Sequence, residues 1–327
     1  MSKRIFCLAL GAILFALCFS AEAQQPTNIP RVAYLTAVSP SVNPARHEAF
    51  RQGLRELGYV EGKNIVIESR YAEGKPDRIS MLAAELVRLK VDVIVTGGAL
   101  PTRAAKEATN TIPIIMAQDT DPVANGFVAS LARPGGNITG LATLAPEISG
   151  KRLELLKEVI PKLSRVAVLG TSTMPGNAQS LKETELAAGA FGVQVQYLEV
   201  RDSKDIETVF RAASKGRADA VLVLTSPVIN SQRTQFVELA VKSRLPAIYP
   251  FPEYVESGGL MTYGASFIDL HRRAATYVDK ILKGAKPAEL PVEQPKKFEF
   301  IINLKAAKQI GLTIPPNVLV RADRVIK

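Results

Sequence analysis

Short apolar runs alternate along this chain with longer segments in which apolar residues recur at helical spacing. In the first half, the runs predict strands over residues 31–36, 64–70, 91–95 and 113–117. The same pattern predicts intervening helices over residues 44–57 and 79–89 and from residue 101. The strands are apolar along most of their length, which is typical of a parallel sheet covered on both faces. Strand–helix alternation with short loops therefore predicts a doubly wound α/β unit with right-handed crossovers.

The same rhythm starts again in the second half of the chain. Strands are predicted over residues 165–169, 193–199, 219–224 and 247–249, with helices starting at residues 177, 204 and 230. A turn-rich segment, residues 133–140, and a glycine-rich segment, residues 258–264, are interpreted as crossings between the halves. A long amphipathic helix, a segment rich in Pro and Lys at residues 283–297, and a final strand and helix complete the pattern.

We therefore predict an α/β fold of two doubly wound parallel-sheet lobes joined by hinge crossings. The first lobe is expected to contain residues 24–140 and 265–290, and the second lobe residues 141–264 and 291–327. A length of 327 residues suits two such units, and 47% hydrophobic residues exclude a disordered chain. The net charge of +10 is scattered along the sequence without a long basic run, so we do not expect a nucleic-acid partner.

The first 23 residues have the pattern of a secretory signal peptide. Lys3 and Arg4 precede an apolar run over residues 5–19. Ala21-Glu22-Ala23 then supplies the small residues of a cleavage site. We expect export across the inner membrane, cleavage after Ala23 and a periplasmic location. A retained anchor and a lipoprotein signal at Cys18 are the alternatives.

The sequence lacks the motifs of most enzyme classes. It contains no phosphate-binding loop, no dinucleotide-binding glycine motif and no nucleophile elbow. Cleavage of the signal peptide would remove both cysteines, Cys7 and Cys18. His47 and His271 are not spaced as a metal-binding pair and are interpreted as surface or partly buried helix residues. We therefore expect no metal, no cofactor and no enzymatic activity.

Asp119 and Asp121 are the nearest approach to a carboxylate pair. Asp121 precedes Pro122 and is interpreted as the N-cap of a following helix. Asp119 lies at the carboxyl end of the fourth predicted strand, where ligands bind in open α/β sheets. It is therefore a candidate binding residue.

Small and hydroxylic residues are concentrated where predicted strands end and helices begin. With the nearby aromatic residues, the candidate ligand-binding residues are Tyr34, Thr36, Ala99, Leu100, Thr102, Asp119, Thr171, Ser172, Asn177, Ser226, Asn230 and Tyr249. The helix start at residues 99–102 is a candidate carboxylate seat, with the Thr102 hydroxyl and backbone N–H groups as donors. Asp119 is a candidate partner for an ammonium group. Thr171, Ser172, Ser226 and Asn230 would clamp the ligand from the second lobe. Capping and core packing explain each residue alone, so only their combination indicates a binding cleft.

Five segments carry a resemblance to a known family. They are FRQGLRELGYVEGKN (residues 50–64), DPVANG (121–126), RPGGNITG (133–140), GGLMTYG (258–264) and NLKAAKQIG (303–311). The chain resembles the ABC-transporter substrate-binding proteins of the family that contains tryptophan, tyrosine and phenylalanine binders. The resemblance implies a type I periplasmic-binding-protein fold, a small-molecule ligand held between the lobes, and an ABC permease partner in the inner membrane.

We predict a periplasmic solute-binding protein of an ABC importer that acts as a monomer. It is expected to capture a small carboxylate-bearing solute, either an amino acid or an aromatic acid, by hinge closure of the two lobes. A solute-binding sensory ectodomain and an exported enzyme are the alternatives that the sequence leaves open.

Overall fold

The computed structural model describes residues 29–75 and 77–327. The predicted signal peptide, with Cys7 and Cys18, lies outside the described residues. Among the helices of the described residues, none combines the length and the apolar character that a membrane span requires.

A five-stranded parallel sheet forms the first lobe. Its strands are β1 (Arg31–Thr36), β2 (Val66–Tyr71), β3 (Val93–Gly97), β4 (Ile114–Asp119) and β5 (Ile138–Ala142), in the order β2-β1-β3-β4-β5. The helices that follow β1, β2 and β3 are α1 (Pro44–Glu56), α2 (Arg78–Arg88) and α3 (Ala99–Ala108).

Alternate residues of β1 pack on opposite faces of this sheet. Val32 and Tyr34 lie in one hydrophobic core with Phe50 of α1. Ala33 and Leu35 lie in a second core with apolar residues of α2 and α3. Both faces of the sheet are buried at its inner strands, which is why β1 and β3 are mostly apolar, whereas the half-buried edge strand β2 carries Glu68 and Arg70.

A seven-stranded sheet forms the second lobe. Its first five strands are β6 (Arg165–Gly170), β7 (Gln194–Glu199), β8 (Ala220–Val223), β9 (Ala247–Tyr249) and β10 (Met261–Ala265). The helices of this part of the chain are α4 (Ala145–Val159), α5 (Asn177–Phe191), α6 (Asp205–Lys215), α7 (Pro227–Ser231), α8 (Arg233–Lys242) and α9 (Pro252–Glu256).

The chain then returns to the first lobe before it completes the second. Helix α10 (Phe267–Leu282) packs against α1, β4 and β5. The last elements are β11 (Phe298–Asn303), α11 (Leu304–Ile310), α12 (Pro316–Leu319) and β12 (Arg324–Ile326). The order of the second sheet is β12-β11-β10-β9-β8-β6-β7, in which β10 and β11 are antiparallel. The predicted class, an α/β fold with two parallel-sheet lobes, is confirmed.

Three segments connect the lobes within residues 77–327. Residues 143–144 lead from β5 to α4, Ser266 leads from β10 to α10, and residues 283–297 lead from α10 to β11. The third segment also lies against the edge of the first sheet, where the Glu293 N–H donates to the Gly140 carbonyl over 3.0 Å. The residue limits assigned to each lobe from the sequence stay a prediction.

Both segments interpreted as crossings contain strand residues instead. Residues 138–140 belong to β5, and residues 261–264 belong to β10. Glycine serves close packing there, because a Cβ on Gly140 would lie 2.6 Å from the Met116 backbone nitrogen in the neighbouring strand. The turn-like composition was therefore misleading, and the crossings follow these strands.

The helix expected after Asp121 is absent. Residues 122–126 form turns, and Asp121 Oδ1 accepts a hydrogen bond from the Ala124 N–H over 3.0 Å. The Asp121 side chain thus accepts a backbone N–H three residues later, as an N-cap does, but the segment that it stabilises is a turn and not a helix. The helix expected from residue 230 begins earlier, at Pro227, because Ser226 Oγ accepts from the Ile229 N–H over 3.4 Å.

Replacing Gly140 by alanine should destabilise the fold. Its backbone φ is +133°, and the added Cβ would clash with the Met116 backbone of β4. We expect G140A to lower the free energy of unfolding by about 2 to 3 kcal/mol, as measured by urea denaturation. G136A is the matched control, because a Cβ on Gly136 meets no atom within 4 Å. Equal midpoints for G140A and G136A would contradict this account of β5.

Candidate functional site

A cavity of about 70 Å³ lies between the lobes, several times the space that one water molecule requires. Its first-lobe wall is formed at the carboxyl ends of β1, β3 and β4, and its second-lobe wall follows β6, β8 and β9. Open α/β sheets bind their ligands at such strand ends. The cavity is therefore the candidate functional site.

Seven of the predicted site residues line this cavity. They are Tyr34, Thr36, Ala99, Leu100, Asp119, Ser226 and Asn230. The first five belong to the first lobe and the last two to the second. Strand-tip position thus identified residues on both sides of the cleft, and their contact with a ligand stays a prediction.

Thr102 and Tyr249 do not line the cavity. The Thr102 hydroxyl donates to the Gly98 carbonyl over 2.9 Å, and the Thr102 N–H donates to the same carbonyl over 3.1 Å. The hydroxyl and the N–H of Thr102 both donate to the residue before α3, so neither is available to a ligand carboxylate. Tyr249 is fully buried in the second-lobe core, where its ring stacks on Tyr254 with ring centroids 4.9 Å apart.

Thr171, Ser172 and Asn177 also lie off the cavity. The Thr171 hydroxyl donates to the Val200 carbonyl over 2.6 Å. Asn177 Nδ2 donates to the Thr171 carbonyl over 3.0 Å. Ser172 is exposed, and its N–H donates to the Glu199 carboxylate over 3.0 Å. These polar groups stabilise the loop before α5.

Three buried acceptor oxygens of the cavity wall have no hydrogen-bond partner among the described residues. They are Asn43 Oδ1, Asp119 Oδ2 and Asn230 Oδ1. The three side chains are at most 5% exposed. An unpaired buried acceptor costs about 1 to 3 kcal/mol, so it is uncommon in a folded protein and calls for a partner. The wall is therefore suited to a ligand that carries hydrogen-bond donors.

Asp119 is the acidic group of this wall. Its Oδ1 accepts from the Asn125 amide over 2.8 Å and from the Asp121 N–H over 3.0 Å. Burial raises the pKa of Asp119 to about 7, although both hydrogen bonds oppose the increase. The carboxyl group thus changes its charge near neutral pH, and a nearby cation would favour the ionised form.

The start of α3 supplies hydrogen-bond donors to the same wall. Ala99 and Leu100 are its first two residues, and their N–H groups have no acceptor within the helix. The next residue, Pro101, has no N–H. Gly98, with φ +123°, precedes the helix without a side chain that could cap it. The positive end of the helix dipole and two free N–H groups suit a carboxylate.

One end of the cavity is aromatic. Tyr34, His47, Phe251, Phe267 and His271 line it, and the Tyr34 and His47 ring centroids are 4.6 Å apart. His271 Nδ1 donates to the Phe267 carbonyl over 2.9 Å, so Nε2 is the acceptor of the neutral ring.

Both histidines are uncharged at neutral pH. Burial, assisted by nearby arginines, lowers the pKa of His47 to about 4 and that of His271 to about 3. Both residues are buried, with His47 8% and His271 1% exposed, so their interpretation as surface or partly buried residues was wrong. The sequence did contain a signal for their place at the cavity, because each histidine lies near the start of a helix that follows a strand.

Arg46 is another residue of the cavity wall that the sequence analysis missed. Its guanidinium lies 4.4 Å from the ring centroids of both Phe251 and Phe267. Two of its nitrogens donate to the Glu253 carboxylate of the second lobe over 2.8 and 2.9 Å. Burial favours a raised pKa for Glu253, but the Arg46 charge outweighs it and holds this pKa below its usual range.

The lobes also contact each other on two other sides of the cavity. The Thr120 hydroxyl donates to the Pro175 carbonyl over 3.3 Å. Arg233 Nη1 of α8 donates to the Val42 carbonyl over 2.5 Å. Together with the Arg46–Glu253 pair, these hydrogen bonds connect the two lobes around the cavity.

Within residues 29–75 and 77–327, no group of three or more His, Cys, Asp or Glu side chains could hold a metal ion.

Comparison with known proteins gives consistent results. Residues 31–326 match the family described as ABC transporter substrate binding protein. A tyrosine-binding protein of Clostridioides difficile is 28% identical over 273 residues, which cover 84% of this chain and 78% of that protein.

Two solved structures have closely similar folds. A conserved domain protein from Vibrio cholerae is 29% identical, with a TM-score of 0.86, and the match covers 91% of this chain and 99% of that chain. The ABC domain in complex with L-Trp from Streptococcus pneumonia is also 29% identical, with a TM-score of 0.84 and the same coverage. Because the family match extends over nearly all of the described residues, the chain belongs to the ABC transporter substrate-binding protein family.

Proposed function

We propose that this protein is the solute-binding component of an ABC importer and that its ligand is an α-amino acid. The observation that carries the proposal is the composition of the cavity wall. Buried acceptors, with Asp119 among them, line the same small cavity as the free N–H groups of α3. An α-amino acid has an ammonium group that can donate to the buried acceptors and a carboxylate that can accept from the N–H groups of α3.

The ammonium group would bind at Asp119. The unpartnered Oδ2 of Asp119 would accept one N–H of the ammonium group, and Asn43 Oδ1 and Asn230 Oδ1 would accept its other N–H groups. Hydrogen bonds to charged groups contribute about 1.5 to 3 kcal/mol each, so this pairing outweighs the cost of ionising a buried carboxyl group.

The carboxylate would bind at the start of α3. The N–H groups of Ala99 and Leu100 are its donors, in place of the Thr102 hydroxyl expected from the sequence. Because α3 has ten residues, its dipole also contributes.

The ligand side chain would occupy the aromatic end of the cavity. Tyr34, Phe251 and Phe267 offer apolar and stacking surface there, and the neutral His271 offers an acceptor. Relatives named for tyrosine and solved with L-Trp support an aromatic amino acid as the first candidate.

Closure follows from where the ligand contacts lie. The first lobe contributes Asp119 and the start of α3, and the second contributes Asn230, whose Oδ1 has no partner among the described residues. A ligand that touches both sets gains contacts only when the lobes approach, so binding favours the closed form by that difference. Substrate-binding proteins of ABC transporters are extracytoplasmic. A periplasmic location and a permease partner accordingly belong to this proposal.

A comparison of matched ligands tests the proposal. We expect L-tryptophan or L-tyrosine to raise the melting temperature, whereas the deaminated acid and the decarboxylated amine of the same ring bind much more weakly. A ligand at one hundred times its dissociation constant stabilises the protein by about 2.7 kcal/mol, which a thermal-shift assay detects readily. Equal shifts for the amino acid and both analogues, or no shift with any amino acid, would count against the proposal.

Ligand affinity should fall as the pH is lowered through 7. The pKa of Asp119 is about 7, so below that pH the carboxyl group carries a proton that the ligand ammonium must displace. We expect about tenfold weaker binding at pH 6 than at pH 8 by isothermal titration calorimetry. His47 and His271 stay neutral over this range because their pKa values are about 4 and 3. D119N should bind weakly with no such dependence, and an unchanged pH profile in D119N would refute the assignment.

Removing one N–H at the start of α3 should weaken carboxylate binding. Proline is tolerated at the first position of a helix, and Gly98, with ψ 172°, lies outside the α region that a following proline disfavours. We expect A99P to lower affinity at least tenfold, since a hydrogen bond to a charged group contributes about 1.5 to 3 kcal/mol. A99V adds similar bulk but retains the N–H, so equal affinities of A99P and A99V would exclude this seat.

A further inference from the structure

Gly176 of the second lobe approaches Thr120 of the first lobe very closely. A Cβ on Gly176 would lie 2.6 Å from Thr120 Cβ and 3.4 Å from its Cγ2, and it would overlap the hydroxyl oxygen. Two carbon atoms in favourable contact are about 3.5 to 4.0 Å apart. Rotation of the Thr120 side chain does not move its Cβ, so any side chain at position 176 would hold the two lobes apart.

The loop that carries Gly176 is fixed to the second lobe. The Met174 N–H donates to the Thr171 carbonyl over 3.0 Å, and the Asn177 N–H donates to the Met174 carbonyl over 3.1 Å. Asn177 Nδ2 ties the loop to the Thr225 carbonyl after β8 over 3.1 Å. The loop therefore moves with its own lobe, and its distance from Thr120 reports how far the lobes have closed.

Thr120 is fixed to the first lobe in the same way. It follows β4 directly, and its hydroxyl oxygen accepts from Asn125 Nδ2 over 3.2 Å. Thr120 and the neighbouring loop residues Met174 and Pro175 also line the cavity. The contact between Gly176 and Thr120 thus belongs to the rim of the ligand cavity.

We infer that Gly176 is a positioning residue for ligand binding and that its contact with Thr120 is the stop at which lobe closure ends. A glycine at this position lets the second-lobe residues reach a ligand held by the first lobe. A larger residue would end closure earlier, enlarge the cavity and leave the second-lobe contacts out of reach. This inference rests on the hinge closure of the proposed function.

The first experiment compares two alanine variants of glycines at the ends of α5. Gly176 and Gly192 both have positive φ, +83° and +65°, but a Cβ on Gly192 meets no atom within 4 Å. We expect G176A to bind L-tryptophan or L-tyrosine at least tenfold more weakly than G192A by calorimetry, with similar melting temperatures of the two unliganded variants.

A compensating variant separates closure from local strain. T120G removes the three side-chain atoms that a Cβ at position 176 would approach. The T120G/G176A chain should recover most of the affinity that G176A loses, relative to T120G alone. Equal affinities of G176A and G192A, or no recovery in the double variant, would overturn the inference.

A crosslinking experiment tests the contact without any ligand. T120C/G176C, in a chain that also carries C7S and C18S, should form a disulfide under mild oxidation. The two Cβ atoms would be 2.6 Å apart, and moving the loops apart by about 1 Å would bring them to the Cβ–Cβ distance of a disulfide. T120C/G192C should not form a disulfide. Absence of the T120C/G176C disulfide would overturn the closure stop, whereas failure of the wild-type chain to bind any amino acid, with the disulfide still formed, would count against the proposed ligand alone.

Discussion

Parallel pairing of the strands is the constraint on which the organisation of this protein depends. Neighbouring parallel strands end at the same edge of a sheet, and the helix that follows each strand begins there. In the first lobe this arrangement brings Asp119 at the end of β4 next to the first N–H groups of α3. The second lobe offers the residues after β8 in the same way. One edge of each lobe thus collects acceptors and donors that lie far apart in the sequence.

Most of the fold could be predicted because its signals are local. The strands β1, β6 and β9 were predicted to within a residue, since their apolar runs are bounded by polar or turn-forming residues. The two crossings were misplaced because glycines that serve close packing between strands have the same composition as a turn. Gly140 in β5 is the example, since only the neighbouring backbone of Met116 explains it.

The candidate site could be predicted only in part, for a related reason. Asp119 and Ser226 follow from strand-tip position, which the sequence reveals. Arg46 does not, because its carboxylate partner Glu253 comes from the other lobe, and His271 does not, because α10 packs against α1 and β4, which are remote in the chain. Thr171 has the right position, but its hydroxyl is used by the backbone of its own lobe, a fact that no local pattern indicates.

The Arg46–Glu253 pair connects the electrostatics of the two lobes. Arg46 is buried between two aromatic rings, and its carboxylate partner comes from the other lobe. Leaving a buried charge without its partner costs about 3 to 5 kcal/mol. The Arg46 charge also helps to keep His47 and His271 neutral, because it lowers the pKa of both rings.

The unequal lengths of the three connections between the lobes limit how the molecule can move. Residues 143–144 and Ser266 are short links, whereas residues 283–297 form a longer one. Two short links act as two fixed points, and two fixed points define a single axis of rotation. Sliding or twisting of one lobe over the other would stretch a link, so one angular degree of freedom remains. Opening and closing of the cleft about this axis would therefore change a single angle.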